Sequence, residues 1–302
     1  MLNLIENSKS FNGYQKVYEH QSISNDCSMR FALYQPDVSE NIPVLFFLSG
    51  LTCNEQNFIQ KSGFQRYASE YKIAVVIPDT SPRGDGIPDS DNYTLGQGAG
   101  FYVNAKENPW SKNFMMYDYI TKELPTIIRE NFNFSSSKIG IFGHSMGGFG
   151  AIQCALKNKE YYKSVSAFSP ICSLHKSDFA KEAMKNYLDN NIEIINSYDP
   201  ISLIKEYKSS FNNILIDVGL EDEFLHDLFI DDFVAACNNV NQKILFQKHS
   251  EYGHNYYFIH SFIKNHIEYH SPKGSKCHQL PLLSTDHLNL CILVNVFRSK
   301  LV

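Results

Sequence analysis

Gly143-His144-Ser145-Met146-Gly147 spells G-x-S-x-G, and Gly148 and Gly150 follow it. These residue types suit one kind of chemistry, in which a serine hydroxyl held on a sharp strand-to-helix turn attacks a carbonyl carbon. The glycines follow from that geometry. The turn strains the serine backbone, and side chains would not fit where helix and strand approach. The flanks agree: Lys138-Ile139-Gly140-Ile141-Phe142 runs in as a strand, and Phe149-Gly150-Ala151-Ile152-Gln153-Cys154-Ala155-Leu156 runs out with helical character. Amide dipoles at the start of that helix favour an oxyanion forming beside Ser145. The backbone N–H of Met146, next in sequence, is the first expected donor.

Such a serine needs a base and an acid that orients it, and on this kind of turn they follow in the chain as acid, then histidine. Ile214-Leu215-Ile216-Asp217-Val218 reads as a strand ending at Gly219, and five carboxylates lie between Asp217 and Asp227. Asp217 falls inside the strand, while Glu221 and Glu223 flank the loop tip. Asp222 lies three residues past the glycine, where the chain has cleared the sheet, and is the favoured acid. Eleven histidines compete for the base. His20 and His144 precede the serine, His175 and His226 precede or crowd the acid, and His260, His266 and His270 belong to the last helical pattern. His254, beside Gly253 and between the last strand and the last helix, is favoured, with His249 as the alternative. A second oxyanion donor is expected after an early strand. Ser49-Gly50-Leu51-Thr52-Cys53 offers the Leu51 amide, aimed inward by a turn that Gly50 permits.

The elements that must position these residues are legible as alternating patterns. Strand candidates are 15–20, 30–35, 43–48, 73–78, 138–142, 164–168, 214–218 and 243–248. Helix candidates are 64–71, 113–130, 146–157, 178–187, 200–207, 231–238 and 255–270. The first two strands alternate sides, as a hairpin does. Later ones, such as Val44-Leu45-Phe46-Phe47-Leu48, are apolar throughout, which suits a parallel sheet covered on both faces. Right-handed βαβ units follow. The expected class is α/β, with the α/β-hydrolase fold and a mostly parallel central sheet of about eight strands flanked by helices. One domain is expected over 1–270, and then a poorly ordered extension over 271–302. The stretch 79–109 is rich in Gly, Pro and Asp, lacks periodicity, and reads as a long ordered loop.

Composition excludes several classes. The chain has 302 residues, 43% hydrophobic and 20% charged, with a formal net charge of −5. A mildly acidic chain without a basic run gives no footprint for nucleic acid. No apolar stretch approaches the ~18 residues that span a bilayer, so no membrane partner is expected. The first residues resemble neither a secretory signal nor a transit peptide. Seven scattered cysteines (Cys27, Cys53, Cys154, Cys172, Cys237, Cys277 and Cys291) lack C-x-x-C spacing. That argues against a metal site or a disulfide framework and for a reducing compartment, with the cytoplasm as the expected location.

Several segments resemble the S-formylglutathione hydrolase family, also called esterase D. They include Leu48-Ser49-Gly50-Leu51-Thr52-Cys53-Asn54-Glu55-Gln56-Asn57-Phe58 and Pro78-Asp79-Thr80-Ser81-Pro82-Arg83-Gly84. Gly96-Gln97-Gly98-Ala99-Gly100-Phe101-Tyr102-Val103-Asn104-Ala105 and Pro109-Trp110 resemble the family's long loop. Ser166-Ala167-Phe168-Ser169-Pro170-Ile171-Cys172 and Tyr252-Gly253-His254-Asn255-Tyr256-Tyr257-Phe258-Ile259 match as well. The resemblance spans roughly 11–270 and has no counterpart from Ser271 onward. It implies hydrolysis of S-formylglutathione to formate and glutathione, in the cytosol, often by a homodimer, without metal or cofactor. Residue by residue it implies Ser145 as nucleophile, Asp222 as acid, His254 as base, and the Leu51 and Met146 amides as oxyanion donors. Cys53 and Trp110 are placed beside the site, with Phe101 and Tyr102 narrowing it. Lys61, Arg83 and Lys106 are the cations that could attract an anionic glutathione thioester. Two other functions stay open: a general short-chain carboxylesterase, and a catalytically silent binding module on the same fold.

Overall fold

Apolar runs form the middle of one sheet, and amphipathic segments cover it. The computed structural model describes residues 2–38, 41–135, 137–208 and 210–271. The strands are β1 (Asn3–Lys9), β2 (Gly13–Ser22), β3 (Cys27–Pro36), β4 (Val44–Leu48), β5 (Ala74–Pro78), β6 (Ile139–His144), β7 (Ser164–Phe168), β8 (Ile214–Gly219) and β9 (Ile244–His249). They make a nine-stranded sheet in the order β1-β2-β3-β5-β4-β6-β7-β8-β9. The first three strands and β5 pair antiparallel. From β5 through β4 to β9 every pairing is parallel. This is the expected α/β-hydrolase architecture with one more strand than the eight candidates. β1 is exposed along its whole length. An edge strand with no buried face carries no alternation by which to find it.

The helices are α1 (Glu55–Lys61), α2 (Phe64–Tyr71), α3 (Met116–Asp118), α4 (Leu124–Asn131), α5 (Met146–Lys157), α6 (Asp178–Leu188), α7 (Ile192–Asn196), α8 (Pro200–Tyr207), α9 (Leu225–Leu228), α10 (Ile230–Asn239) and α11 (Tyr256–His270). The helix expected over 113–130 begins at Met116 and carries a π-helical turn, Tyr119–Glu123, between α3 and α4. There the Glu123 carboxylate accepts hydrogen bonds from the Ser22 hydroxyl and from the Ile23 and Ser24 amides. The short helices α1, α7 and α9 span too few residues to show a helical period.

Side chains of β4 divide by parity, as a two-faced sheet requires. Phe46 and Leu48 pack into one apolar layer with Phe149 and Ile152 of α5. Leu45 and Phe47 pack into the other with Phe58 of α1, Phe64 of α2, and Phe258 and Ile263 of α11. The Phe47 and Phe58 rings stack with centroids 3.5 Å apart. Both layers leave the carboxyl ends of the parallel strands free to carry loops. α11 ends at His270, as expected ahead of Ser271-Pro272. Of the extension expected over 271–302, Ser271 is described and 272–302 lies outside the described residues. Among the described residues no helix is long and apolar enough to cross a membrane.

Candidate active site

β6 delivers Ser145 to the start of α5 in a conformation few side chains adopt, φ 57° and ψ −120°. Its amide donates to the Phe168 carbonyl at 3.0 Å, and its own carbonyl accepts from Phe149 at 3.0 Å and Ile171 at 3.3 Å. Three backbone bonds hold the strained residue in place. The flanking glycines are sterically required. A Cβ on Gly143 would lie 2.1 Å from the Gly147 carbonyl oxygen, and one on Gly147 would lie 1.9 Å from that of Leu48. Met146 is the first residue of α5, so its amide has no acceptor within the helix. The turn after β4 packs directly on the serine: a Cβ on Gly50 would sit 3.2 Å from Ser145 Cβ.

Asp222 follows β8 as expected, and its buried carboxylate lies 2.7 Å from His254 Nδ1. The other carboxylate oxygen accepts from the Phe224 amide at 2.9 Å. Burial alone would raise its pKa. The hydrogen bond and charge of His254, helped by the Ser169 hydroxyl and the Phe224 amide, outweigh burial and hold the carboxyl below its ordinary value. The two loops are tied together: Leu220 donates to the His249 carbonyl (2.8 Å), and Glu221 donates to that of Tyr252 (3.0 Å). The His254 amide donates to the Glu223 carboxylate at 3.1 Å. Gly219 makes the crossing possible, since a Cβ there would lie 2.1 Å from the Tyr252 carbonyl oxygen.

The competing acid and base are paired with each other. His249 Nε2 lies 3.2 Å from Asp217 Oδ2, and His266 Nε2 lies 3.7 Å from the same oxygen. Burial raises the Asp217 pKa, but the hydrogen bond from His249 and the nearby His266 imidazole outweigh it and hold it low. Neither Asp217 nor His249 reaches the cavity that Ser145 and His254 share.

That cavity has a volume of about 280 Å³, and Gly50, Leu51, Cys53, Ser145 and His254 all line it. Sequence reasoning missed several other residues of the wall, among them Tyr93, His144, Phe179, Phe224 and Tyr256. Phe224 meets the His254 ring edge-on with centroids 5.1 Å apart. Its position two residues beyond Asp222 was the available signal; Phe179 offered none, because only tertiary packing brings it here. His144 lies with its ring centroid 4.4 Å from that of His254. Burial, then the His254 charge, push the His144 pKa well below its usual value, so a neutral imidazole borders the candidate base. Burial also pushes the Cys53 thiol up, against the opposing influences of Tyr256 and Lys61.

Trp110, expected beside the site, is not among the residues that line the cavity. Its indole is buried edge-on against Phe114 (5.2 Å) and Tyr187 (5.4 Å), where an aromatic cluster satisfies its large apolar surface. Phe101 and Tyr102 are likewise buried and buttress the site. The Tyr102 hydroxyl donates to the Ser49 carbonyl at 2.8 Å, and Thr52 donates to the Gly98 carbonyl at 2.9 Å. From this long loop Tyr93 reaches the cavity wall. Arg83 is occupied: its Nε lies 2.9 Å from Asp79 Oδ2, and its Nη2 donates to the Cys53 carbonyl at 2.8 Å. Burial still pushes Asp79 up to about 6.

The Esterase family model, described as "Putative esterase", matches residues 22–269. The S-formylglutathione hydrolase of Mus musculus is 48% identical over 275 residues, covering 89% of this chain and 98% of the mouse protein. That of Bos taurus is 47% identical with the same coverage. A solved S-formylglutathione hydrolase from Agrobacterium tumefaciens superposes with a TM-score of 0.86 at 41% identity, covering 89% of this chain and 98% of that one. The likeness therefore extends through the sheet, the serine turn and both loops beyond it. On this evidence the chain belongs to the Esterase family and, within it, to the S-formylglutathione hydrolases.

Proposed function

We propose that the chain hydrolyses S-formylglutathione to formate and glutathione, with Ser145 as nucleophile, His254 as base and Asp222 as the acid that orients it. The carrying observation is the 2.7 Å Asp222–His254 contact, made where His254 and Ser145 wall the same cavity. His254 takes the Ser145 Oγ proton as that oxygen bonds to the formyl carbon. Negative charge develops on the carbonyl oxygen and is met by the Met146 and Leu51 amides. The C–S bond then breaks as the glutathione sulfur takes the proton from His254 and leaves as thiol, which returns His254 to its neutral form and leaves a formyl ester on Ser145. Water gives a proton to His254 and its hydroxyl to the formyl carbon; formate departs and Ser145 recovers its proton. Asp222, held ionised by its partners, steadies the imidazolium formed in each half-reaction.

The reading includes a single hydrolase domain over 1–270, with 271–302 as an extension outside it. Cys27, Cys53, Cys154, Cys172 and Cys237 are free, which suits a reducing compartment, and we take the enzyme to act in the cytoplasm as a homodimer. The test is thioester turnover. The formyl thioester should exceed butyryl in kcat/KM by about tenfold, ~1.4 kcal/mol of discrimination, because Phe179 and Phe224 crowd the wall where a longer acyl chain must lie. Equal turnover would favour a general esterase. Failure of a fluorophosphonate to label Ser145 would favour a silent binding module.

A further inference from the structure

Next to one residue of the cavity wall, Tyr256, stands a cation that the acyl-transfer chemistry does not use. Lys61 lies in the last turn of α1, where helix carbonyls favour positive charge. Its ammonium stands 5.5 Å from the centre of the Tyr256 ring, and that ring walls the cavity. Cys53, on the same wall, feels the Lys61 charge. Lys61 is exposed, and among the described residues no acidic side chain pairs with it. Arg83 differs, because Asp79 and the Cys53 carbonyl occupy its guanidinium. Packing over an aromatic face holds an ammonium without neutralising it. Lys61 thus holds an uncommitted positive charge against Tyr256, one residue of the cavity wall.

The thioester proposed above has a need that matches. Its tripeptide part carries two carboxylates and one ammonium, and the protein carries a net charge of −5. The overall field repels such a ligand, so attraction must come from a local cation. Cys53 and Tyr256 both line the cavity that holds Ser145, so a tripeptide leaving along that side would pass next to Lys61. Resting on that substrate, we propose that Lys61 binds a carboxylate of the glutathione moiety and so distinguishes glutathione thioesters from uncharged esters.

Steady-state kinetics of wild type, Lys61→Gln and Lys61→Arg with S-formylglutathione and with p-nitrophenyl acetate test this. Lys61→Gln should raise KM for the thioester about fivefold, the upper end of what one exposed ion pair contributes. Its kcat for the thioester, and both constants for the neutral ester, should stay within about twofold. Lys61→Arg should keep most of the wild-type KM, and added salt should narrow the gap between wild type and Lys61→Gln. An equal loss on both substrates, no loss on either, or an Arg variant as impaired as Gln would overturn the assignment. A wild type that cleaves the ester and leaves S-formylglutathione intact would overturn the proposed substrate, and the Lys61 subsite with it. A wild type active on both, with Lys61→Gln unchanged, would overturn Lys61 alone.

Discussion

Two Asp–His contacts lie within a few residues of each other in sequence, yet they serve different ends. Asp222–His254 opens onto the cavity, whereas Asp217–His249 is enclosed between the sheet and α11. Ser145→Ala and His254→Ala should each lower kcat at least about a thousandfold, and the double variant should be little worse, because the residues act as a unit. Asp222→Asn should also be severe in the same kinetic assay. Asp217→Asn should retain most of kcat and lose about 3 kcal/mol of stability in urea unfolding, since it breaks a buried charge network. The pH dependence has a definite sign. The folded pKa of Asp217 is depressed, so its contribution is present above the unfolded value, about 3.9, and is lost as pH falls through the folded value. Unfolding free energies of wild type and Asp217→Asn should therefore converge in acid. A gap that persists there would show that Asp217 does not stabilise through its charge, and an Asp217→Asn variant slower than Asp222→Asn would reassign the acid.

At the scale of elements, the strand-to-helix turn is governed by backbone crowding. Gly147→Ala places a methyl group against the Leu48 carbonyl, which belongs to a central strand and cannot step aside. A loss of at least about 3 kcal/mol in thermal or denaturant unfolding is expected, together with loss of activity. Gly84→Ala is the control: the backbone there is left-handed at φ 112°, but nothing lies within 4 Å. It should cost stability through backbone strain alone and leave kcat unchanged. Comparable unfolding curves for the two variants would show that crowding does not set the turn. The same crowding recurs at Gly219, where the acid loop crosses beneath the base loop.

α11 closes one apolar layer of the sheet and ends at His270, and the family match ends at 269. Removing 272–302 should leave kcat/KM within about threefold, under 1 kcal/mol. Circular dichroism with steady-state kinetics on the shortened chain checks this. A folded but inactive product would make the segment part of the site, and an unfolded one would make it part of the core.

The strand-to-helix turn at Ser145 and the central strands were legible in the sequence because local physics dictates them. A strand-to-helix turn demands its glycines in consecutive positions, and buried parallel strands demand unbroken apolar runs such as Val44–Leu48. Other features were settled only by the fold, because they depend on partners distant in sequence. β1 has no buried face and is recognised only by its ladder to β2. Asp217 and Asp222 differ by which histidine each can reach, His249 or His254, and that depends on how the β8 and β9 loops cross. Trp110 lies near matching segments of the chain, yet Phe114 and Tyr187 draw it into the core. Phe179 reaches the cavity from a helix that no local pattern ties to Ser145. Spacing along the chain constrains turns and strands, whereas the wall of a cavity is set by which side chains three-dimensional packing leaves facing it.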